Sequence, residues 1–252
     1  MVEKLNTVGM ATQRVDGLER VTGRATYSAD IRLPDMLCAR VLRSPHPHAR
    51  VLRIDPSKAL AVDGAKAVLT NENCEIVWSS GDRANERRLF NNPVRLVGDP
   101  VAAVAATDPH LAEETLKLIE VEYEPLDFVL TAEEALEPGA VEIHPGGNLS
   151  PVFSFTSPGP GRREPSTYVR GDVEKGFADS DKVFEGHYVS KHVNNAQMEP
   201  RVAVARWEGD KLTVWTPTQG ISSCHRDIST SLKIPPEKVR VICQFMGGGF
   251  GN

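Results

Sequence analysis

The segment Met246-Gly247-Gly248-Gly249-Phe250-Gly251-Asn252 follows directly on the alternating run Val239, Val241, Cys243, Phe245. Glycine has no Cβ, so successive backbone N–H groups in such a segment can approach an anionic ligand closely. By backbone chemistry alone the cluster is either a cradle for an anion or cofactor, or a tight structural turn. It does not fit G-x-G-x-x-G, because Asn252 stands where the last glycine belongs, and no Gly-Lys-Ser/Thr makes a P-loop. A cradle at this point is expected to need further polypeptide to support it.

Three other groups carry chemistry. Pro217-Thr218-Gln219-Gly220 falls between an expected strand and an expected helix, where an amide can be aimed into a cleft and the helix N-terminus favours an anion. The Gln219 carboxamide both donates and accepts without titrating; taken alone, the residue is a loop cap or a site. In Gln197-Met198-Glu199-Pro200, a carboxylate before proline is ordinarily a solvated turn residue, whereas a buried one could act as a general base or an orienting acceptor. His187 and His192 with Glu185 or Glu199, and the pair His46 and His48, contain the atoms of a metal site but lack a ligand spacing. Ser222-Ser223-Cys224-His225 lies outside any G-x-S-x-G, so adjacency alone makes no triad.

The elements that must position these residues read as mixed α and β. Leu37 to Leu42 suits a buried strand, and Asp55-Pro56 starts a short helix that Gly64 ends. Val68-Leu69 and Val101 to Ala106 are further strands. Asp108-Pro109 supplies cap and first-turn proline for a helix with Ala112, Leu116 and Ile119 on one stripe. Glu120 to Glu124 alternates as a strand closed by Pro125. From Leu126 to Arg170 the pattern weakens into a connection, with the domain boundary at Ser157-Pro158-Gly159-Pro160-Gly161 and Arg162-Arg163-Glu164-Pro165. Beyond it, Val183 to Val189, Val202 to Trp207 and Leu212 to Thr216 read as strands of a meander, the last two joined by a hairpin turn. Ile221, Cys224, Ile228 and Leu232 recur at helical spacing, and Pro235-Pro236 stops that helix before the final strand.

Composition narrows the partners. In 252 residues, 29 basic against 34 acidic side chains give a net charge of −5, so there is no basic excess for nucleic acid and no charged membrane stripe. The N-terminus lacks an apolar signal core and no spanning run occurs, so the expected compartment is the cytoplasm and the expected partners exclude nucleic acid and membrane. Cys38, Cys74, Cys224 and Cys243 form no C-x-x-C pair, so neither a zinc ribbon nor a cysteine-ligated cluster is written here, and reduced thiols are expected.

Read in order, the motifs resemble the opening of the molybdopterin-binding large subunit of the xanthine dehydrogenase/aldehyde oxidase family. They are Arg14 to Gly23, Tyr27-Ser28-Ala29-Asp30, Arg43-Ser44-Pro45-His46-Pro47-His48-Ala49, Gly98-Asp99-Pro100-Val101-Ala102, Tyr123-Glu124-Pro125-Leu126, Gly171-Asp172-Val173, Gln197 to Pro200, Thr218-Gln219 and Met246 to Gly251. The resemblance implies an α+β protein: an N-terminal extension over 1–18, an α/β hammerhead domain over 19–127, a linker over 128–170, and the first part of a molybdopterin-binding domain of mixed strands and helices over 171–252.

It also implies an oxidoreductase that hydroxylates an electron-poor carbon of a purine, aldehyde or N-heteroaromatic with oxygen from water. The implied cofactor is molybdenum-molybdopterin in its cytosine dinucleotide form, with [2Fe–2S] clusters and FAD on partner subunits. By the same resemblance Gln219 lies near the molybdenum oxo group; Gly248, Gly249, Phe250 and Gly251 pass the cofactor; and Glu199 is structural. The dithiolene, rather than the protein, supplies the sulfur ligands, so no residue here is a direct metal ligand. The family's base glutamate and the lysine-containing helix after the glycine loop match nothing in these residues. The expectation is a split subunit or truncated piece, with no complete catalytic set and no activity alone. The non-enzymatic alternative is a hammerhead interaction or assembly module whose glycine segment is only a turn.

Overall fold

The computed structural model describes residues 8–78, 87–144, 147–148 and 170–251. In chain order the elements are α1 (Gly17–Val21), β1 (Cys38–Arg43), β2 (Ala49–Asp55), α2 (Ser57–Leu60), β3 (Ala65–Thr70), β4 (Val77–Trp78), β5 (Arg87–Arg88), β6 (Pro100–Ala106), α3 (Pro109–Leu116), β7 (Glu120–Pro125), α4 (Ala132–Leu136), α5 (Val173–Ala178), β8 (Val204–Glu208), β9 (Lys211–Trp215), α6 (Ile221–Leu232) and β10 (Val239–Ile242). They form two compact units, Pro34–Val193 and a second made of Met1–Leu33 with Asn194–Asn252.

The first unit is built on β6. Its run Pro-Val-Ala-Ala-Val-Ala-Ala has little polar surface to present, and β6 takes the centre of an antiparallel sheet in the order β1-β6-β3. Val101, Ala102, Val104 and Ala106 are all but inaccessible to solvent, so this strand is covered on both faces. β2 and β7 pair antiparallel as a second ribbon, and Ala49, Val51, Ile54, Val94 and Ile119 join Val68 and the β6 residues in one core. Helix α3 starts where cap chemistry requires: Asp108 accepts from the N–H groups of His110 (2.8 Å) and Leu111 (3.1 Å), with Pro109 in the first turn. The helix ends at Leu116, so Ile119 reaches the core from the connection rather than from the predicted helical stripe. Asp55 likewise accepts from the Ser57 N–H at the start of α2, a single turn that stops well short of Gly64.

Two short helices stand where no helix was expected. α4 is held by a reciprocal box in which Thr131 accepts from the Glu134 N–H and Glu134 accepts from the Thr131 N–H. α5 is capped by Asp172, which accepts from the Lys175 N–H at 3.0 Å. The expected strand over Val183 to Val189 does not form: the segment is extended, but its alternation has no neighbouring strand to pair with among the described residues. The Pro/Gly run at 157–161 and the following Arg162 to Pro165 lie outside the described residues.

In the second unit β8 and β9 form the expected hairpin, closed at the Glu208–Lys211 pair with Gly209 in the left-handed region. The meander lacks its first expected strand, and the final strand joins from the far side of the helix. β10 pairs with β9 in parallel, so the order is β10-β9-β8 and α6 makes the crossover. Lys233, in left-handed conformation, ends α6 ahead of Pro235 and Pro236.

Candidate functional site

The parallel pairing of β9 and β10 brings their carboxyl ends to the same edge, and both key loops leave from there. In open sheets with parallel neighbours this is the edge at which ligands are held. After β9, the Thr218 hydroxyl accepts from the Gly220 N–H at 3.1 Å and α6 begins at the next residue. After β10, Phe245 is buried and the glycine segment follows.

Gln219 Oε1 accepts from the Gly251 N–H at 2.6 Å. The amide lies so close along the loop that a Cβ on Gly249 would stand 2.4 Å from Gln219 Cδ, and one on Gly248 would stand 2.8 Å from both Gln197 Cβ and the Phe250 ring. At Gly248 both the left-handed backbone and these contacts call for glycine, whereas a Cβ on Gly249 would displace the Gln219 amide. Gln219, Gly248, Gly249, Phe250 and Gly251 therefore form one cluster. Among the described residues, the N–H groups of Gly248, Gly249 and Phe250 and the Gln219 amide nitrogen donate to no protein atom. Their chemistry is a row of neutral donors, suited to an oxygen-rich or anionic group.

Two polar clamps hold the loop from its N-terminal side. Glu199 is 6% exposed, and its two carboxylate oxygens accept from the N–H groups of Ser28 (3.2 Å) and Gly247 (2.7 Å). The solvated-turn reading is thereby corrected: both oxygens are occupied by backbone donors, which makes Glu199 an orienting acceptor. A Cβ on Gly247 would stand 2.6 Å from Glu199 Cβ, so the contact admits only glycine. The second clamp is Arg20. It donates to Met246 O (3.3 Å), Tyr27 Oη (3.2 Å) and Asp16 (2.7 Å), with its guanidinium over the rings of Tyr27 and Phe245 at 5.9 and 5.4 Å. Hydrogen bonding from Arg14, then from Arg20, holds the Asp16 carboxyl well below the usual carboxylate range. Tyr27, Asp30, Met198, Pro200 and Gly247 also border a cavity of about 310 Å³ together with Glu199. Arg20 and Tyr27 carry no local signal of this role, because the loop they hold is more than 200 residues away in sequence.

The other sequence candidates do not join the cluster. His48 Nδ1 donates to Asp127 O (2.6 Å), and the His46 ring packs edge-on against Tyr123. His225 Nε2 donates towards the carbonyls of Pro236 and Val239 at 3.0 and 3.1 Å, while burial pushes the Cys224 thiol up, so the neighbouring thiol is not an activated nucleophile. His187 and His192 sit on the exposed extended segment.

Two family models match the chain: the aldehyde oxidase and xanthine dehydrogenase a/b hammerhead domain over residues 22–127, and the molybdopterin cofactor-binding domain over residues 159–252. The chain belongs to the xanthine dehydrogenase/aldehyde oxidase family. The sheet built on β6 lies within the hammerhead match, and the glycine loop falls within the molybdopterin-binding match, in this family of molybdenum oxidoreductases. It is 35% identical over its whole length to the nicotinate dehydrogenase large molybdopterin subunit of Eubacterium barkeri, covering 57% of that protein. It is 33% identical over 95% of its length to the xanthine dehydrogenase molybdenum-binding subunit of Escherichia coli O157:H7, covering 32% of it. The fold matches quinoline 2-oxidoreductase from Pseudomonas putida 86 with a TM-score of 0.84 at 31% identity, over 98% of this chain and 31% of that one. The chain thus spans between about a third and just over half of the length of these relatives. Among the described residues no helix is long and apolar enough to cross a membrane.

The donor set fits the cofactor that the second model implies. Unengaged N–H groups at Gly248, Gly249 and Phe250, with the Gln219 amide beside them, present hydrogen-bond donors and no competing carboxylate within the glycine segment itself.

Proposed function

We propose that this chain supplies part of the molybdenum-cofactor site of a hydroxylase acting on a purine, aldehyde or N-heteroaromatic, and that turnover requires the remainder of a molybdopterin-binding subunit. The observation that carries the reading is the convergence of Gln219 with the Gly248–Gly251 segment beyond the parallel ends of β9 and β10, with its N–H donors unengaged. When bound, the molybdenum-pterin group would supply the two-electron redox chemistry that lets a water-derived oxygen enter the substrate.

The residues of this chain bind and orient. Gln219 would present its Nε2 donor to an oxo group while Oε1 stays tied to Gly251, which fixes which way the amide points. The N–H groups of Gly248, Gly249 and Phe250 would hold cofactor oxygens. Glu199 and Arg20 keep the loop from collapsing onto those donors. No side chain in the cluster is a base placed to take a proton, so that role belongs to other polypeptide.

The cytosine dinucleotide form of the pterin, [2Fe–2S] and FAD subunits as electron acceptors, and a cytoplasmic location complete the proposal. The names of relatives described as large or molybdenum-binding subunits support the existence of partner subunits; the other points follow from the family resemblance alone. The nicotinate, xanthine and quinoline relatives favour an N-heteroaromatic substrate.

The test is molybdenum and pterin content, with turnover of purine, aldehyde and N-heteroaromatic substrates, for the chain alone and assembled with the rest of the subunit. The expected result is cofactor and activity only in the assembly, and loss of molybdenum there on Gly249→Val. Full occupancy with activity in the chain alone would overturn the need for other polypeptide. An assembly that never takes up molybdenum would favour the interaction module.

A further inference from the structure

Residues 182–193 combine two properties that a folded surface does not tolerate together. They are extended, yet among the described residues none of their backbone N–H or C=O groups is hydrogen bonded. Their large apolar side chains are also bare: Phe184, Tyr188 and Val189 are 90%, 93% and 80% exposed. Unpaired backbone beside exposed aromatic rings is what a sheet strand looks like without its neighbour.

The alternation says what kind of strand. Paired as a strand, the segment would put Phe184, Gly186 and Tyr188 on one face and Val183, Val189 and Val193 on the other. Apolar residues on both faces describe a strand that is covered on each side rather than a wet edge. Helix α5, just before it, repeats the pattern. Asp172 caps it, so it forms locally, yet Val173 and Phe177, one turn apart, are both exposed.

We infer that residues 182–193 are a docking strand, with α5 beside it, that pairs by strand addition with the part of the molybdopterin-binding subunit beyond the stretch matched here. The occupant follows from size. The fold of 98% of this chain recurs in the quinoline 2-oxidoreductase chain as only 31% of that polypeptide, so protein more than twice as large accompanies it there. Strand addition uses the free N–H and C=O groups for affinity and the alternate side chains for register. The inference rests on the function proposed above, but its test separates the two.

Hydrogen–deuterium exchange is read on the chain alone and on the assembled subunit, with molybdenum assayed in the same samples. Amides of 183–193 are expected to exchange at unprotected rates alone and at least about 100-fold more slowly in the assembly. The double variant Phe184→Ser, Tyr188→Ser is expected to leave the unfolding temperature of the chain alone unchanged, because neither ring is packed. It should weaken assembly at least about 100-fold, as removal of central aromatic anchors does. Unprotected amides in an assembly that carries molybdenum would overturn the docking strand and leave the functional reading intact. Protection in an assembly without molybdenum would support the strand and remove that reading. Protection appearing in the chain alone as its concentration rises would overturn the assigned occupant in favour of self-pairing.

Discussion

The interior of the hammerhead sheet and the glycine loop are held in opposite ways. In the first, Val94, Val101, Val104 and Ala49 meet in an interior that water does not reach, and the sheet is defined by side-chain volume. In the second, a carboxylate and a guanidinium grip backbone groups at Gly247 and Met246, and the next three N–H groups stay unengaged. Packing gives tolerance, because many contacts share the load. A clamp concentrates the load in one or two atoms, and it leaves adjacent donors open, which a packed interior cannot do. The difference fits a division between a domain that needs only to be folded and a loop that must stay open.

Five measurements would sharpen or break this contrast. The largest effect is expected at Glu199. Both oxygens accept N–H donors, and glutamine has a single acceptor oxygen, so Glu199→Gln should destabilise the folded chain nearly as much as Glu199→Ala, by about 3 kcal/mol in urea unfolding. A glutamine variant as stable as wild type would remove the clamp. Next, Gly247→Ala must push against Glu199 Cβ and backbone, and an overpacked contact of this kind costs about 2 kcal/mol. Gly249→Ala meets only the exposed Gln219 side chain, which can swing away. Its effect should appear in molybdenum retention of the assembled subunit, with unfolding barely moved. Equal destabilisation by the two alanines would contradict the assignment of clamp and open face.

Val104→Ala probes the packed side of the comparison. Deleting two methyl groups from the covered face of β6 should cost about 1.5 to 2 kcal/mol in urea unfolding, while leaving cofactor retention in the assembly unchanged. The smallest effect concerns acid. The Asp16 carboxyl is depressed by Arg14 and Arg20, so its contribution is present above the unfolded carboxylate value of about 3.9 and is lost as pH falls through the lower folded value. Asp16→Asn should therefore be slightly less stable than wild type at neutral pH, and the gap should close in strong acid. A gap that widens with acidification would show that the Arg20 clamp does not depend on that carboxylate.

Much of the first unit was legible because its signals are local. Asp108-Pro109 places α3 by satisfying amides two and three residues on, and the apolar run of β6 can only be an interior strand. The Thr131–Glu134 box and the Asp172 cap are equally local, but the weak apolar periodicity around them marks no helix. At the site, the glycines and Gln219 could be singled out because strand, loop and helix boundaries are written around them. The burial of Glu199 could not, since an exposed Glu-Pro turn and a buried one share the same residues, and the Ser28 amide that distinguishes them lies 171 positions away.

The sequence by itself therefore determined strand β6, the Asp108 cap, the β8–β9 hairpin and the glycine loop, because each depends on φ/ψ preference or hydrogen bonds within a few residues. It also gives Val183 to Val189 the alternation of a strand, although no strand forms there among the described residues. Only the tertiary structure decided that β10 runs parallel to β9, that Arg20 and Glu199 hold the loop, and that three amides remain open beside Gln219. Those outcomes depend on which distant groups close over a loop, and a pattern confined to neighbouring residues contains no term for that closure.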